Sequence, residues 1–292
     1  MAKAFKQHSE TDPLKLVIIG LARGYRKVEE YFEIHNVNLE HGGPEEGQLV
    51  DEFKGYVKAL EDRGVTVLRP EYVGKFVYDQ LTPRDIGVTI GNRFLICNMK
   101  LKSRRYEVAG IFPHILKMEG EEPNILIPED HDALLEGGDI MVDKGFIFLG
   151  ISQRSNEKGF KYLKENFGNE YKVIPVRCTS LDEGENVLHL DCTFNPVGED
   201  MALIYPDGFE EIPAEITDNY KLIEVTREEQ QELATNVLNI DKKTLIARDH
   251  PSCKRINQKL RDLGFEVIEI KFDGPPAAGG SFRCCSLPLI RG

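Results

Sequence analysis

Apolar and polar positions along the chain fall into a recurring order: apolar runs, an amphipathic stretch, a glycine, then another apolar run. Residues 51–62 place Phe53, Tyr56, Val57 and Leu60 at helical spacing on one face, as expected of a helix packed on a sheet. The amphipathic stretches end at Gly64, Gly120, Gly168 and Gly264, where glycine can supply the left-handed residue that stops a helix. They recur at roughly 50-residue intervals, with one double gap near residue 216. There EITDNYKLIEV offers Asn219 as a left-handed stop and Leu222–Val225 as the strand after it. Strand-like runs precede the helices at Leu16–Leu21, Val88–Cys97, Gly145–Gly150, Val187–Phe194 with Met201–Tyr205, and Thr244–Ala247. The repeat reads as ββαβ, five times over, and repeats of this length build solenoids or closed rings. No linker or low-complexity segment interrupts it, so residues 1–292 are expected to form one domain.

Composition narrows the function. The net charge of −12 disfavours nucleic acid as a partner and is compatible with a small cationic substrate, although acidic surfaces also serve solubility. No run approaches the length of a membrane span, and the N-terminal stretch lacks a secretory apolar core, so a cytoplasmic protein with no membrane partner is expected. The six cysteines form no CxxC pair or zinc-finger spacing and are expected to be reduced. No GxGxxG or GxxxxGK[ST] loop is present, so no nucleotide cofactor is expected. His189, Asp191, Glu136 and Cys284 are legitimate metal ligands, but their spacing matches no compact metal motif, and no metal is expected.

Four loops beside apolar strands carry candidate chemistry. LTPRDIGVTIGNRF contains Asp85, and ALLEGGDIMV contains Glu136 and Asp139 flanking two glycines. Each could be no more than a solvated turn carboxylate. ENVLHLDCTF sets His189 and Asp191 two apart in a strand-like run, which would put both on one face as an acid/base pair. PPAAGGSFRCCSLPLIRG leads through two glycines to Cys284 and Cys285. A Gly-rich approach suits presentation of a thiol, whereas a free cysteine more commonly packs as a small apolar residue. The polar, Gly-rich segment Gly24–Gly47 reads as a lid or as an ordinary surface loop.

In order, RD-x5-GN, LEGGD, GxSxRSN, HLDxxF and GGxxxCxS resemble the guanidino-group-modifying enzymes of the pentein superfamily. These include arginine deiminase, dimethylarginine dimethylaminohydrolase and arginine:glycine amidinotransferase. The resemblance runs from about Leu16 to Arg291 and implies a five-fold pseudosymmetric α/β propeller of ββαβ units around a central active site. It further implies Cys284 as nucleophile, His189 as acid/base and Glu136 as the acid beside it. Asp85 and Asp191 would grip the guanidinium, with Asn92 an alternative ligand in the first loop. Asp139 matches a structural acid of the substrate loop, Arg104 and Arg154 match arginines that hold the substrate α-carboxylate, and Cys285 is a packing residue.

The implied reaction is hydrolysis of L-arginine through an S-amidino-cysteine intermediate, with citrulline as product. Dihydrolase action giving ornithine, dimethylarginine hydrolysis and amidino transfer are the alternatives, and a non-catalytic binding protein on the same fold is a remote one. Self-association is left open. A guanidinium is planar and always charged, so bidentate carboxylates can orient it for attack by a thiolate. The same carboxylates should raise the thiol pKa, from about 8.5, until the cationic substrate offsets them.

Overall fold

In the computed structural model, residues 4–25, 44–74, 77, 80–118, 120, 124–180, 183–185 and 187–292 are described. Most of the proposed lid segment, residues 26–43, lies outside them.

Among the described residues there are five three-stranded sheets, and each has the same internal plan. The middle strand pairs antiparallel with the strand before it and parallel with the strand after it. In the second unit these are β3 (Gly87–Ile90), β4 (Arg93–Ile96) and β5 (Ile125–Leu126). The third holds β6 (Ile140–Asp143), β7 (Phe146–Ile151) and β8 (Lys172–Arg177). The fourth holds β9 (Phe194–Val197), β10 (Met201–Ile204) and β11 (Lys221–Glu224), the fifth β12 (Leu238–Asn239), β13 (Thr244–Arg248) and β14 (Glu266–Ile270). The first unit is completed from both ends of the chain. Its middle strand β1 (Leu14–Ile19) lies between β2 (Thr66–Leu68) and β15 (Ser286–Arg291). A parallel pair needs a long crossover, and in each unit a helix supplies it. These are α1 (Glu46–Glu61), α2 (Val108–Leu116), α3 (Glu157–Phe167), α4 (Ala214–Asn219) and α5 (Lys254–Asp262). The units are the ββαβ repeats read from the sequence, arranged as a five-fold pseudosymmetric α/β propeller.

Several local expectations differ from the structure. Val88–Cys97 is a hairpin rather than one strand, because Gly91 (φ +60°) turns the chain between β3 and β4. Left-handed glycine stops occur at Gly64 and Gly264 (φ +75° and +95°), but Gly168 is right-handed at φ −66°. Asn219 is not left-handed: it is the last residue of α4, and Tyr220 leaves the helix with extended backbone. Of the run Val187–Phe194 only Phe194, the first residue of β9, is in a strand. His189 is extended, and Leu190–Cys192 form a 3-10 turn closed by Cys192 N–H to His189 O at 3.0 Å.

The core lies between helices and sheets and in the seams between units. Helix α1 buries Leu49, Phe53, Tyr56 and Leu60, and Val57 is half-buried beside them. Such side chains contribute roughly 1.5–3 kcal/mol each when fully buried. Tyr56 packs edge-on against Phe272 and Phe282, whose rings stack at 4.4 Å. Its hydroxyl donates to Phe282 O at 2.8 Å, so α1 anchors backbone two residues before Cys284. Tyr56→Phe should leave that carbonyl unpaired and lower the unfolding free energy by about 1–2 kcal/mol, measured by urea denaturation.

Candidate active site

The candidate residues share one structural position: the segment that leads into the first strand of each unit. Asp85 precedes β3, Glu136 and Asp139 precede β6, His189 and Asp191 precede β9, and Cys284 precedes β15. The fifth such segment carries Asn236, just before β12. Hydrogen bonds join the segments in a circuit. Arg84 N–H donates to Cys284 O (3.2 Å), Gly137 N–H to Asp85 O (2.9 Å) and Leu190 N–H to Asp139 Oδ1 (3.0 Å). Thr235 Oγ1 donates to Cys192 O (2.9 Å), and Arg283 N–H to Asn236 O (3.2 Å) closes the ring.

The two glycines of LEGGD permit this convergence. A Cβ on Gly137 would lie 2.1 Å from Arg84 O, and one on Gly138 would lie 2.8 Å from the His189 ring and 3.0 Å from Asp85 Oδ1. Neither position has room for a side chain, so backbone stands where a side chain would hold the segments apart.

Six acid, thiol and imidazole groups meet here, all nearly or wholly buried. His189 Nε2 bonds Glu136 Oε2 at 2.8 Å, and its Nδ1 lies 3.9 Å from Asp85 Oδ1. Cys284 Sγ lies 3.5 Å from Asp191 Oδ2 as donor and receives Asn236 Nδ2 at 3.1 Å. The Cys284 N–H donates to Asn236 Oδ1 at 3.1 Å, so Asn236 clasps both ends of the residue. His189 and Asp191 therefore meet different partners, and their convergence comes from the 3-10 turn rather than a shared strand face.

Protein guanidiniums already hold part of this acid. Arg104 is wholly buried. It forms a two-pronged pair with Glu107 at 2.8 and 2.9 Å and donates Nη1 to Asp85 Oδ2 at 2.8 Å. It also donates to Thr82 Oγ1, so it is a bracket for Asp85 and not a grip for a ligand carboxylate. Arg154 is buried with Nη1 3.5 Å from Glu136 Oε2. Arg283, adjacent to Cys284, pairs with Asp191 Oδ2 at 2.9 Å. Asp139 accepts from Ser152, Ser155 and the Leu190 N–H, which marks it as a clasp between loops rather than a substrate ligand. Asn92 is exposed in the β3–β4 hairpin turn, at the other end of β3 from Asp85, and is not part of the cluster. Cys285 is wholly buried in the apolar cluster with Tyr56 and Phe282, as a packing residue should be.

Two residues escaped the sequence reading. Asn236 occupies the place in the fifth unit that Asp85 holds in the second, two residues before the first strand, so strict repeat register would have found it. Arg105, half-buried, lines a cleft of about 530 Å³ with Lys100, His131 and Lys158 and with the acids Asp132 and Glu157. Lys100 connects that cleft to the acids, since its N–H donates to Glu136 Oε1 at 3.1 Å.

Burial and charge act in opposite directions across the cluster. Burial opposes the charge on His189, but Asp85, Asp139 and Glu136 outweigh it and hold its pKa at about 9. Burial also opposes ionisation of Glu136, yet Arg154, His189 and Arg104 bring it down to about 2. Asp139 is raised by burial to about 6, partly offset by His189 and its serine donors. The Cys284 thiol is pushed well up by burial and then by the charges of Asp191 and Asp85. At rest the site thus pairs an imidazolium with a neutral thiol. Asp85, Glu136 and His189 place ligand atoms within 4.8 Å of one another, a spacing open to a metal ion. The set fits one poorly, because Arg104, Arg154 and His189 itself already neutralise its two acids.

The Glu136–His189 pair carries a definite pH signature. His189 is raised from 6.5, so its contribution to stability is complete below pH 6.5 and lost as pH rises through about 9. Glu136 is lowered from 4.5, so its contribution is complete above pH 4.5 and lost towards about 2. Thermal unfolding followed from pH 6 to 10 should show an alkaline decline that is smaller in Glu136→Gln. An identical decline in the variant would show that the pair does not set it.

The family model described as "N,N dimethylarginine dimethylhydrolase, eukaryotic" matches residues 40–291. Among relatives, the uncharacterized protein YkgA of Bacillus subtilis (strain 168) is 35% identical over 268 residues, covering 91% of this chain and 86% of its own. An arginine deiminase of Bacillus cytotoxicus is 26% identical over 251 residues, which cover 71% of this chain and 60% of the deiminase. Among solved structures, a mutant dimethylarginine dimethylaminohydrolase of Pseudomonas aeruginosa complexed with citrulline superposes with a TM-score of 0.76. It is 21% identical, and the match covers 94% of this chain and 99% of that one. Five ββαβ units around a buried cysteine, histidine and acids, together with the match over most of its length, place the chain in the N,N dimethylarginine dimethylhydrolase family of the pentein superfamily of guanidino-group-modifying enzymes.

Proposed function

We propose that the protein hydrolyses the guanidinium group of free L-arginine, releasing ammonia and citrulline. The carrying observation is Asp85 Oδ1: a buried carboxylate oxygen with no hydrogen-bond partner, set beside His189. A buried acceptor left unpaired is costly, and a planar cation with several N–H donors satisfies it. The charge of Asp85 acts on both His189 and Cys284, so a guanidinium bound to it sits between the acid/base and the nucleophile. Asp191, at the thiol, receives the other edge.

In this reading the bound cation offsets Asp191 and Asp85, and the Cys284 proton leaves to solvent. The thiolate attacks the guanidinium carbon, forming a C–S bond. His189, an imidazolium at rest, protonates one amino nitrogen as its C–N bond breaks, and ammonia departs. Neutral His189 then takes a proton from water as the oxygen attacks the amidino carbon. The C–S bond breaks, the sulfur leaves with its electron pair and takes up the remaining hydroxyl proton, and citrulline forms with the thiol restored. Asn236 Nδ2, already on Sγ, steadies the developing thiolate. Acid/base catalysis by a placed histidine is worth ~10²–10⁴ in rate. The α-carboxylate points to the cleft of Arg105 and Lys100, in place of Arg104, with Arg154 beside Glu136.

A second reading, hydrolysis of dimethylarginine, is favoured by the family match. The acids favour the unmethylated substrate, because a dimethylated nitrogen has no N–H to offer Asp191 or Asp85. Mass spectrometry after separate incubation with L-arginine and with Nω,Nω-dimethyl-L-arginine distinguishes them. Citrulline and ammonia from arginine are expected. Dimethylamine from the methylated substrate alone supports the second reading, and ornithine would indicate two hydrolytic rounds.

Cys284→Ser and His189→Ala should each abolish turnover, with Cys285→Ser retaining much of it. Comparable loss in all three would identify the wrong nucleophile. Arg105→Ala should raise KM for L-arginine about tenfold with kcat little changed, the mark of a contact made equally in ground and transition states. A kcat loss with unchanged KM would remove Arg105 from carboxylate binding.

A further inference from the structure

A second charged cluster lies behind the nucleophile loop and takes no part in the proposed reaction, apart from sharing Asp191. Arg84, Arg283 and Arg291 are almost wholly buried, as are Glu10 and Asp191. Arg283 is paired with both acids, at 2.9 Å to Asp191 and 3.1 Å to Glu10. Arg291 directs its terminal nitrogens to the carbonyl oxygens of Asp12 and Asn239. Arg84 differs from both. Its Nε donates to Arg283 O at 3.4 Å, while Nη1 and Nη2 are buried without any hydrogen-bond partner.

No carboxylate hydrogen-bonds to Arg84 in the same place. Arg84 lies within electrostatic range of Arg283, Arg291, Glu10 and Asp191. Three guanidiniums thus face two fully buried carboxylates, both already engaged by Arg283; the half-buried Asp12 acts on Arg291. A guanidinium does not shed its proton in a protein. Burial of a cation without a counter-charge is strongly unfavourable. Water would satisfy the two orphaned nitrogens but would set no negative charge against a guanidinium whose terminal nitrogens no carboxylate meets.

We propose that Arg84 Nη1 and Nη2 hold a monovalent inorganic anion of the halide class, enclosed within the ring behind the active site. The site differs from the guanidinium subsite in charge and shares with it only the neighbouring Asp191. It bears on the nucleophile loop, because Arg84 also bonds the consecutive carbonyls of Arg283 and Cys284 through Nε and its own N–H. An anion at Arg84 fixes this side chain and, through it, the backbone that presents the thiol.

Crystals of the full chain grown with bromide as the halide give a direct test that needs no turnover. Anomalous scattering should show a peak within hydrogen-bonding distance of both Arg84 terminal nitrogens. In solution at constant ionic strength, the thermal midpoint should rise when chloride or bromide replaces gluconate, and Arg84→Met should lose that response. Should Arg84→Met fail to fold, Arg84→Gln takes its place, and the wild-type halide response stands as its own readout. An anomalous map empty at Arg84 overturns the proposal. So does a peak without halide-dependent stability, which would mean binding at crystal concentration only.

Discussion

The site depends on one constraint: five chain segments must meet at the axis of the ring closely enough to hydrogen-bond to one another. Backbone donors of Arg84, Gly137 and Arg283 reach carbonyls of the neighbouring segments, and Asp139 and Thr235 bridge the remaining gaps with side-chain oxygens. Pairing of β15 with β1 is the step that closes the circuit, since it sets Cys284 beside Arg84. The cost of closing so long a loop grows only slowly with its length. Packing between units then holds together residues drawn from both ends of the sequence.

Closure buries an unusual density of acid. Two of these carboxylates have one oxygen taken by the protein's own arginine, Asp85 Oδ2 by Arg104 and Asp191 Oδ2 by Arg283. These internal partners orient the acids while each takes only one of the two carboxylate oxygens. What remains is a negative hollow with an imidazolium on one side and an un-ionised thiol on the other. Such a site disfavours its own thiolate, and the proposed reaction would link ionisation of that thiol to entry of a cation. It also explains why Arg104, at the sequence position expected to meet a ligand, is turned inward.

The repeat explains both the successes and the errors of local reading. Amphipathic spacing in α1 and the glycine stops at Gly64 and Gly264 are matters of local backbone and side-chain pattern, and they hold in the structure. HLDCTF has the composition of a strand, yet its Leu190–Cys192 fold as a 3-10 turn, because its N–H and carbonyl groups are claimed by Asp139 and Thr235 from the neighbouring units and by Tyr205 of its own. Asn219 could have ended its helix left-handed, but the chain leaves α4 in extended form to enter β11 at once.

By itself, the sequence determined the five ββαβ units, the helices that cross between their strands, and the acid, imidazole and thiol residues placed in the loops before those strands. Periodicity and turn chemistry act over a few residues and are written directly in the order of amino acids. Only the tertiary structure decided which of those loops touch. It drew Asn236 onto the thiol, set Arg105 rather than Arg104 at the cleft, and left Asn92 in an outer turn. The reason is that charge pairing and burial depend on distances across the ring, and those distances are set by how five separate units pack around one axis.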